Sequence, residues 1–482
     1  MFQLAPIHEW EGDPGAHVSW SASPATLAKA RQAPVSPVPV SYQQAQHLRS
    51  YREHRAHGTE MARLTILSWN IGGQCDVRAM TYVINAYLRR HDTYRSWFEF
   101  DDDDRVVRHT IPNPNDVKFV ATKHGHKSSR DWCEDILATP GPLEWDCFRF
   151  GIIQRADHFT FYMSVDHLHV DAMFIGLLFV EIHMMYAALI MGSGPIPLPL
   201  AGSYDAYCLR QHQYTSMLTI DSPQVSEWIE FAQRNDGTLP RFPLPIGDPS
   251  LPCEGDLMTF QLMDEVQSDR FEKACTAAGA RFIGGVFAGI AMAEHQLTGN
   301  TTYHTITPTS TRAPEEMMTT GWFTGTVPIT VPVNPYSFAE TVRAAQASFD
   351  SGQRLGHVPF DRVLELALHE GHVRRPDVGV PMISYLDATV SPFSPEIVAQ
   401  WNLVGGKIYS EMGAANQVGM WVNRFGDGTT VTVAFPNNPI ARESVTRYLS
   451  AMRSAFVGVA DGRRDAASSS APLIESLGSG MA

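Results

Sequence analysis

The sequence is short of positive charge. Lys and Arg number 37 against 51 Asp and Glu, a formal charge of −14, and no basic stripe runs along the chain. That argues against a nucleic-acid binder, because phosphate contacts need clustered Lys and Arg. It also supplies no polybasic membrane anchor. Cysteine is sparse. Cys75, Cys133, Cys147, Cys208, Cys253 and Cys275 form no C-x-x-C pair, which reads as free thiols in a reducing compartment, not a disulfide frame or a zinc site. No basic segment followed by an apolar core opens the chain, so no signal peptide is expected. Long uninterrupted apolar runs are also missing. MFIGLLFVEIHMMYAALIM, residues 173–191, reaches spanning length, but Glu181 and His183 break it. Charge near a bilayer centre is costly, so a buried core helix is expected there. There is no G-x-S-x-G nucleophile elbow and no internal repeat.

What is present is the composition of a globular protein: 482 residues, 44% hydrophobic and 18% charged, enough for two or three domains. Residues 1–40 are rich in Pro, Ala and Ser and read as mostly irregular. SYQQAQHLRSYREHRAHG, from Ser41, reads as a helix and LTILSWNIGG, from Leu64, as a strand. Asp76 caps a helix whose Met80, Val83, Ile84, Tyr87 and Leu88 share one face. The acidic run Asp101–Asp104 lacks the spacing and glycine of a calcium loop and reads as a hairpin tip. Residues 191–256 are punctuated by Pro and Gly around one helix and place a boundary near 200–215. A strand in TTVTVAFP precedes a helix with Val445, Leu449, Met452 and Phe456 inward. Strands and helices mix without strict alternation, which predicts α/β or α+β layered domains.

The chemistry concentrates in SVDHLHVDAMF, residues 164–174. HFTFYMSVDH alternates, with Phe159, Phe161, Met163 and Val165 on one side, so His167, His169 and Asp171 follow a strand end. Two imidazoles and a carboxylate suit zinc. Against that, position 172 is Ala where an H-x-H-x-D-H site continues, and His369-Glu370-Gly371-His372 is too short for a zincin helix. The other reading needs only His167 and Asp171. A neutral imidazole accepts a proton near pH 7, while Asp171 pairs with a distant arginine and fixes the loop. The plain reading is a structural histidine at a strand end, with His169 structural or pocket-lining.

Neighbouring motifs add to these readings. SYQQAQHLRSY (41–51), RRHDTYRSWF (89–98), SVDHLHVDAMF, SYDAYC (203–208), GWFTGTVPI (321–329) and HVPFDRV (357–363) resemble, in order, the conserved blocks of the condensation-domain superfamily of acyltransferases. That group includes nonribosomal condensation domains and chloramphenicol acetyltransferase. Within it the chain looks most like the polyketide-associated acyltransferases of mycobacteria that build trehalose-based glycolipids. PVSYQQAQHLR, INAYLRRHDTYRSWFEF, DCFRFGIIQ, TLPRFPLPIGDPS and FPNNPIARESVTRYL carry that similarity almost end to end.

The resemblance implies two chloramphenicol acetyltransferase-like lobes in a V with a tunnel between them. The N-terminal lobe spans residues 1–205 and carries the H-x-x-x-D motif. The C-terminal lobe spans 206–460 and includes the lobe crossover, and 461–482 form a disordered tail. It implies His167 as general base and an Asp171–Arg312 pair with a structural role. His169, Met173, Phe174, Trp322 and Phe323 would contact substrate. No cofactor is expected. An acyl-CoA or acyl-carrier-linked donor would acylate a trehalose-type sugar. A polyketide synthase or a lipid-export membrane protein are the partners such a role suggests, with a cytoplasmic location and peripheral contact at the inner membrane face. The chain departs from the pattern at Asp166, where the family has its first histidine, at Ala172 for glycine and at Gly325 for asparagine. NRFGDG (423–428) is only a loose counterpart of D-F-G-W-G. Two alternatives stay open: a metal-dependent hydrolase using His167, His169 and Asp171, and a non-catalytic docking protein.

Overall fold

Strand His158–Asp166 lies inside a seven-stranded sheet, between Leu64–Gly72 and Phe148–Gln154. The computed structural model describes residues 4–248, 251, 253–367, 371, 373–376, 380–388 and 395–463. The expected tail beyond Arg463 and the residues His369, Glu370 and His372 lie outside the described residues. The alternation of this strand is as the sequence predicts, but both faces are covered. Phe159, Phe161, Met163 and Val165 enter the main core with Trp69 and Ile84, while Tyr162 packs with Trp10, Trp132 and Ile153. Slipping a strand by one residue turns its side chains to the wrong face. Burial on both sides therefore fixes where the strand ends, at Asp166.

The order across this sheet is Leu4–Pro6, Lys407–Ser410, Leu64–Gly72, His158–Asp166, Phe148–Gln154, Gly15–Ala22 and Phe119–Lys127. Only the first pair is parallel. The helix Val77–Arg90 packs its periodic face into the same core, capped by Asp76. The N-terminal stretch corrects the expectation of an irregular start: Gly15–Ala22 is an inner strand and Pro24–Arg31 a helix. Small residues give this strand little propensity of its own, and the strands pairing on each side supply the order.

The second half builds a four-stranded sheet, Ile383–Asp387, Gly419–Phe425, Gly428–Pro436 and Gly255–Asp264. Against it pack the helices Glu265–Ala277 and Pro439–Ala460, with Val445, Leu449, Met452 and Phe456 buried as their spacing predicts, while Phe282–Thr298 lies on these helices and Phe338–Gly352 on the antiparallel pair Thr302–Ser310 and Thr324–Pro332. The punctuated region holds two helices, Tyr204–Ser216 and Pro223–Gln233, not one. A cut between 205 and 206 falls inside the first of them. The halves also interlock. Lys407–Ser410 adds to the N-terminal sheet, and Trp401, Ile408 and Phe425 enter the N-terminal core.

The apolar segment is helical from Phe174 to Ile190, with a wide π turn over Phe179–Met184. Phe174, Leu178 and Ile182 are buried, whereas Met184 and Met191 are exposed. Glu181, which interrupts the run, is buried against Arg90 at 3.2 Å and His91 at 3.1 Å. Among the described residues no single helix is long and apolar enough to cross a membrane.

Two motif regions meet at Gly325, in the strand Thr324–Pro332. A Cβ there would lie 1.7 Å from the Gly356 carbonyl oxygen, so the asparagine of the family pattern does not fit this chain. Forcing a methyl group against main chain costs about 1–3 kcal/mol or more. Gly325→Ala is therefore expected to lower the unfolding free energy by that amount, read as a lower urea midpoint at unchanged slope. An unchanged midpoint would show that the two segments are not held at this separation.

Candidate active site

The sheet delivers the motif as a short, tightly bonded loop. Asp166 ends the strand, and its carboxylate accepts the Leu168 N–H at 3.0 Å, opening the single turn His167–His169. The His167 N–H donates to the Arg63 carbonyl at 2.8 Å. The imidazole is half-buried. Nδ1 is sealed from solvent without a hydrogen-bond partner, and Nε2 is the nitrogen that remains open. Burial, and then the neighbouring His47, lower the ring's pKa to about 4, against the raising pull of its own carbonyl and of Asp166. At neutral pH the ring is therefore uncharged and able to accept a proton.

Around this ring stand Trp322 and a buried set of charges. The Trp322 indole is part-exposed, 4.4 Å from the His167 ring centre and edge-to-face with His47 at 5.5 Å. Asp166 is fully buried and accepts from His47 Nε2 at 2.7 Å and Arg63 Nη1 at 3.2 Å. Burial pushes its carboxyl up, but His47, Arg63 and the Leu168 N–H outweigh that and hold it below the usual range. Arg63 also donates to the carbonyls of Thr139 and Pro140.

Asp171 faces the other way. Arg312 Nη2 reaches its two oxygens at 2.8 and 2.9 Å, and the N–H groups of Met173 and Phe323 donate to it at 3.0 and 3.1 Å. Burial raises this carboxyl, and Arg312 with the two main-chain donors pulls it back. Arg312 lies 4.1 Å above the Phe323 ring and donates to the carbonyls of Glu316 and Thr319. One side chain thus ties the motif loop to the 312–323 segment.

The other motif regions hold this arrangement from behind. Asp92 accepts from Ser203 Oγ at 2.6 Å and the Tyr204 N–H at 2.9 Å, capping the helix Tyr204–Ser216. Tyr204 in turn bonds Ser41 Oγ at 3.0 Å, and Ser41 caps the helix Tyr42–Ala56 that carries His47. Gly321 lets the Tyr204 ring approach, because a Cβ there would lie 2.4 Å from it.

Three of the residues expected to contact substrate sit elsewhere. His169 is fully buried, its Nδ1 2.9 Å from Thr93 Oγ1 and its ring beside Tyr94 and Phe148. Phe174 belongs to the N-terminal core, and Phe323 packs with Tyr204 and Tyr207. No water-sized sphere reaches the His169 and Phe323 side chains, so neither lines an open channel. Met173 and Trp322 remain part-exposed. The metal reading loses its ligand set as well. His169 turns to Thr93 and Asp171 to Arg312, and among the described residues no group of three potential ligands is placed to share an ion. Conversely, His47, Arg63 and Glu411 have no motif spacing that links them to residue 166. The one signal available was that His47 lies within the motif SYQQAQHLRSY.

Residues 53–391 match the family model described as Condensation domain. Trehalose-2-sulfate acyltransferase PapA2 of Mycobacterium tuberculosis (strain ATCC 25618 / H37Rv) is 56% identical over 463 residues, covering 96% of this chain and 98% of that protein. The 2'-acyl-2-O-sulfo-trehalose (hydroxy)phthioceranyltransferase PapA1 of Mycobacterium tuberculosis (strain CDC 1551 / Oshkosh) is 53% identical over 460 residues, covering 95% of this chain and 89% of that protein. A solved structure described as PapA2 acyl transferase superposes with a TM-score of 0.92 at 56% identity, over 96% of this chain and all of that one. The X-domain from teicoplanin biosynthesis, at 16% identity, shares the fold with a TM-score of 0.66, over 90% of this chain and 97% of that one.

Removing one partner of a buried ion pair strands the other charge, at about 3–5 kcal/mol. Arg312→Ala is expected to lose that much in chemical unfolding. Combined with Asp171→Asn the loss should be clearly less than the sum of the single variants. Strict additivity in the double-mutant cycle would mean that the pair is not coupled.

Proposed function

This chain belongs to the condensation-domain family, and from that premise we propose that it is an O-acyltransferase. It moves a long-chain fatty or polyketide acyl group onto a hydroxyl of trehalose, or of a substituted trehalose, in glycolipid synthesis. The reading is supported by two relatives of more than half identity whose names state acyl transfer to sulfated trehalose. The observation that carries the chemistry is the ring of His167, neutral, half-exposed and open at Nε2.

In this reading His167 Nε2 takes the proton of the sugar hydroxyl as the oxygen attacks a thioester carbonyl. The tetrahedral intermediate collapses, the C–S bond breaks, and the imidazolium returns the proton to the leaving sulfur. General-base assistance of this kind supplies roughly 10²–10⁴ in rate. Positioning in the cleft supplies more. No acyl-enzyme forms, so no activated Ser or Cys is required. Asp171 and Arg312 act by holding the loop that carries His167. Trp322 and Met173 are the part-exposed apolar surfaces beside it that suit an acyl chain. The donor is a CoA or carrier-protein thioester. A polyketide synthase upstream and a lipid-export protein downstream fit the chemistry of the donor and the product. So does a cytoplasmic location, touching the inner membrane face.

Acyl transfer from a long-chain acyl-CoA to trehalose and to trehalose 2-sulfate tests this directly. His167→Ala should lower kcat by about 10²–10⁴. His169→Ala should lose stability but keep activity in the folded fraction. Equal loss of kcat in both folded variants would reject the assignment of the base. The base acts deprotonated, so kcat/KM should hold level well below the ordinary imidazole value of 6.5 and fall only as pH drops through about 4. An acid limb centred near 6.5 would mean an unperturbed imidazole.

A further inference from the structure

Rate acceleration at a carbonyl needs a donor for the developing oxyanion as well as a base. The reading of His167 as base names no such donor. The departures at Asp166, Ala172 and Gly325 remove residues that the family pattern places nearby. Among the described residues beside His167, His47 is a ring donor held in place by a buried carboxylate, and the inference that follows rests on the acyl-transfer reading above.

His47 projects from the helix Tyr42–Ala56 toward the motif loop. Its ring centre is 6.4 Å from that of His167, and both rings border the same Trp322 indole. The two imidazoles are held in parallel fashion, with one nitrogen engaged or sealed and the other open. In His47 the engaged nitrogen is Nε2, 2.7 Å from Asp166 Oδ1. Nδ1 has no hydrogen-bond partner in the protein and is not among the sealed atoms.

The surrounding groups fix how this ring is held. Asp166 and Glu411 face one guanidinium, that of Arg63, at 3.2 and 4.0 Å. Glu411 also accepts the main-chain N–H groups of Arg63 and Leu64 at 2.6 and 2.9 Å, and burial raises its carboxyl. Asp166 is held low by His47, Arg63 and the Leu168 N–H. A buried carboxylate is tolerated only when paired, and His47 Nε2 with Arg63 pairs this one, which turns the Nδ1 side of the ring away from Asp166. His47 is also the second influence, after burial, that lowers the pKa of His167.

We propose that His47, oriented by Asp166, is a second catalytic residue whose Nδ1–H donates a hydrogen bond to the oxyanion of the tetrahedral intermediate. The proton ledger closes without it. The sugar O–H bond breaks to His167 as the C–O bond forms, and the carbonyl π pair moves onto oxygen, where His47 meets it. When the C–S bond breaks, His167 gives its proton to sulfur. His47 donates a hydrogen bond throughout and transfers nothing. Asp166 is the positioning residue, since it acts only through His47. This assigns a use to the carboxylate found where the family pattern has a histidine.

The test compares wild type, His167→Ala, His47→Leu and His47→Gln in the same transfer assay, with a long-chain acyl-CoA and trehalose 2-sulfate as probes. Loss of an oxyanion donor typically costs 10²–10³ in kcat, so His47→Leu should fall by about that factor with both KM values within about threefold. His47→Gln keeps an N–H of similar reach without the ring and should recover part of the loss, still about tenfold below wild type. A structural role would lower the melting temperature and the folded fraction without this kcat-specific pattern or the partial rescue. Folded His47→Leu at wild-type kcat overturns the proposal, as does a change confined to KM. Should His47→Leu fail to fold, the Gln variant decides, because wild-type kcat there excludes a specific need for the His47 ring. His167→Ala separates the two readings. If it is inactive while the His47 variants are normal, only the oxyanion assignment fails. If it is active, the base assignment fails first.

Discussion

The pairing of Asp171 with Arg312 is the contact on which the site geometry turns. It joins residues 141 positions apart, one on the loop after the central strand and the other on the segment leading to Trp322 and Phe323. Two bonds to one guanidinium nitrogen and two main-chain donors satisfy the carboxylate, and the planar guanidinium also covers the Phe323 ring. This contact, with Tyr204 against the Trp322 carbonyl and the Phe323 ring, sets the distance between the His167 ring and the Trp322 indole. A carboxylate accepting four hydrogen bonds from three donors has little freedom to move, so the loop's position is stiff. The pair is more a device of placement than of chemistry.

Burial does the electrostatic work on the other side of the loop. It strips solvation from the His167 ring and keeps that ring neutral, while the open nitrogen still meets the cleft. A few ångströms away the same burial obliges charges to cancel locally. Asp166 does so against Arg63 and His47, with Glu411 on the far side of the same guanidinium. An uncharged ring with an open nitrogen and a paired buried carboxylate thus stand side by side in one low-polarity environment. The sheet makes this possible by bringing Asp166 to a fixed end point, and the crossover strand Lys407–Ser410 brings Glu411 alongside.

Much of the architecture was legible in periodicity. The strand at 158–166, the capped helix after Asp76, the acidic hairpin tip and the last helix all follow from local pattern, because their side chains alternate or recur at the spacing that burial requires. The strand Gly15–Ala22 was not legible, since its order is conferred by its partners. The punctuation near residue 205 looked like a boundary, yet a helix capped from Asp92 runs through it. At the site, His167 and Asp171 stood out by spacing, whereas Arg312 entered only through the resemblance. The burial of His169, Phe174 and Phe323 was invisible in one dimension. An aromatic or imidazole side chain reads the same in sequence whether it faces a cleft or the core.

The amino-acid sequence by itself determined the family, the strand that presents the motif, and the residue types available for proton transfer. Local pattern and ordered motifs suffice for these, because each is encoded within a dozen or so neighbouring residues. Only the tertiary structure decided which imidazole keeps an open nitrogen, which turns into the core, and which buried charges cancel. Those outcomes depend on solvent exclusion and on contacts between segments hundreds of residues apart, and no short window of sequence contains either.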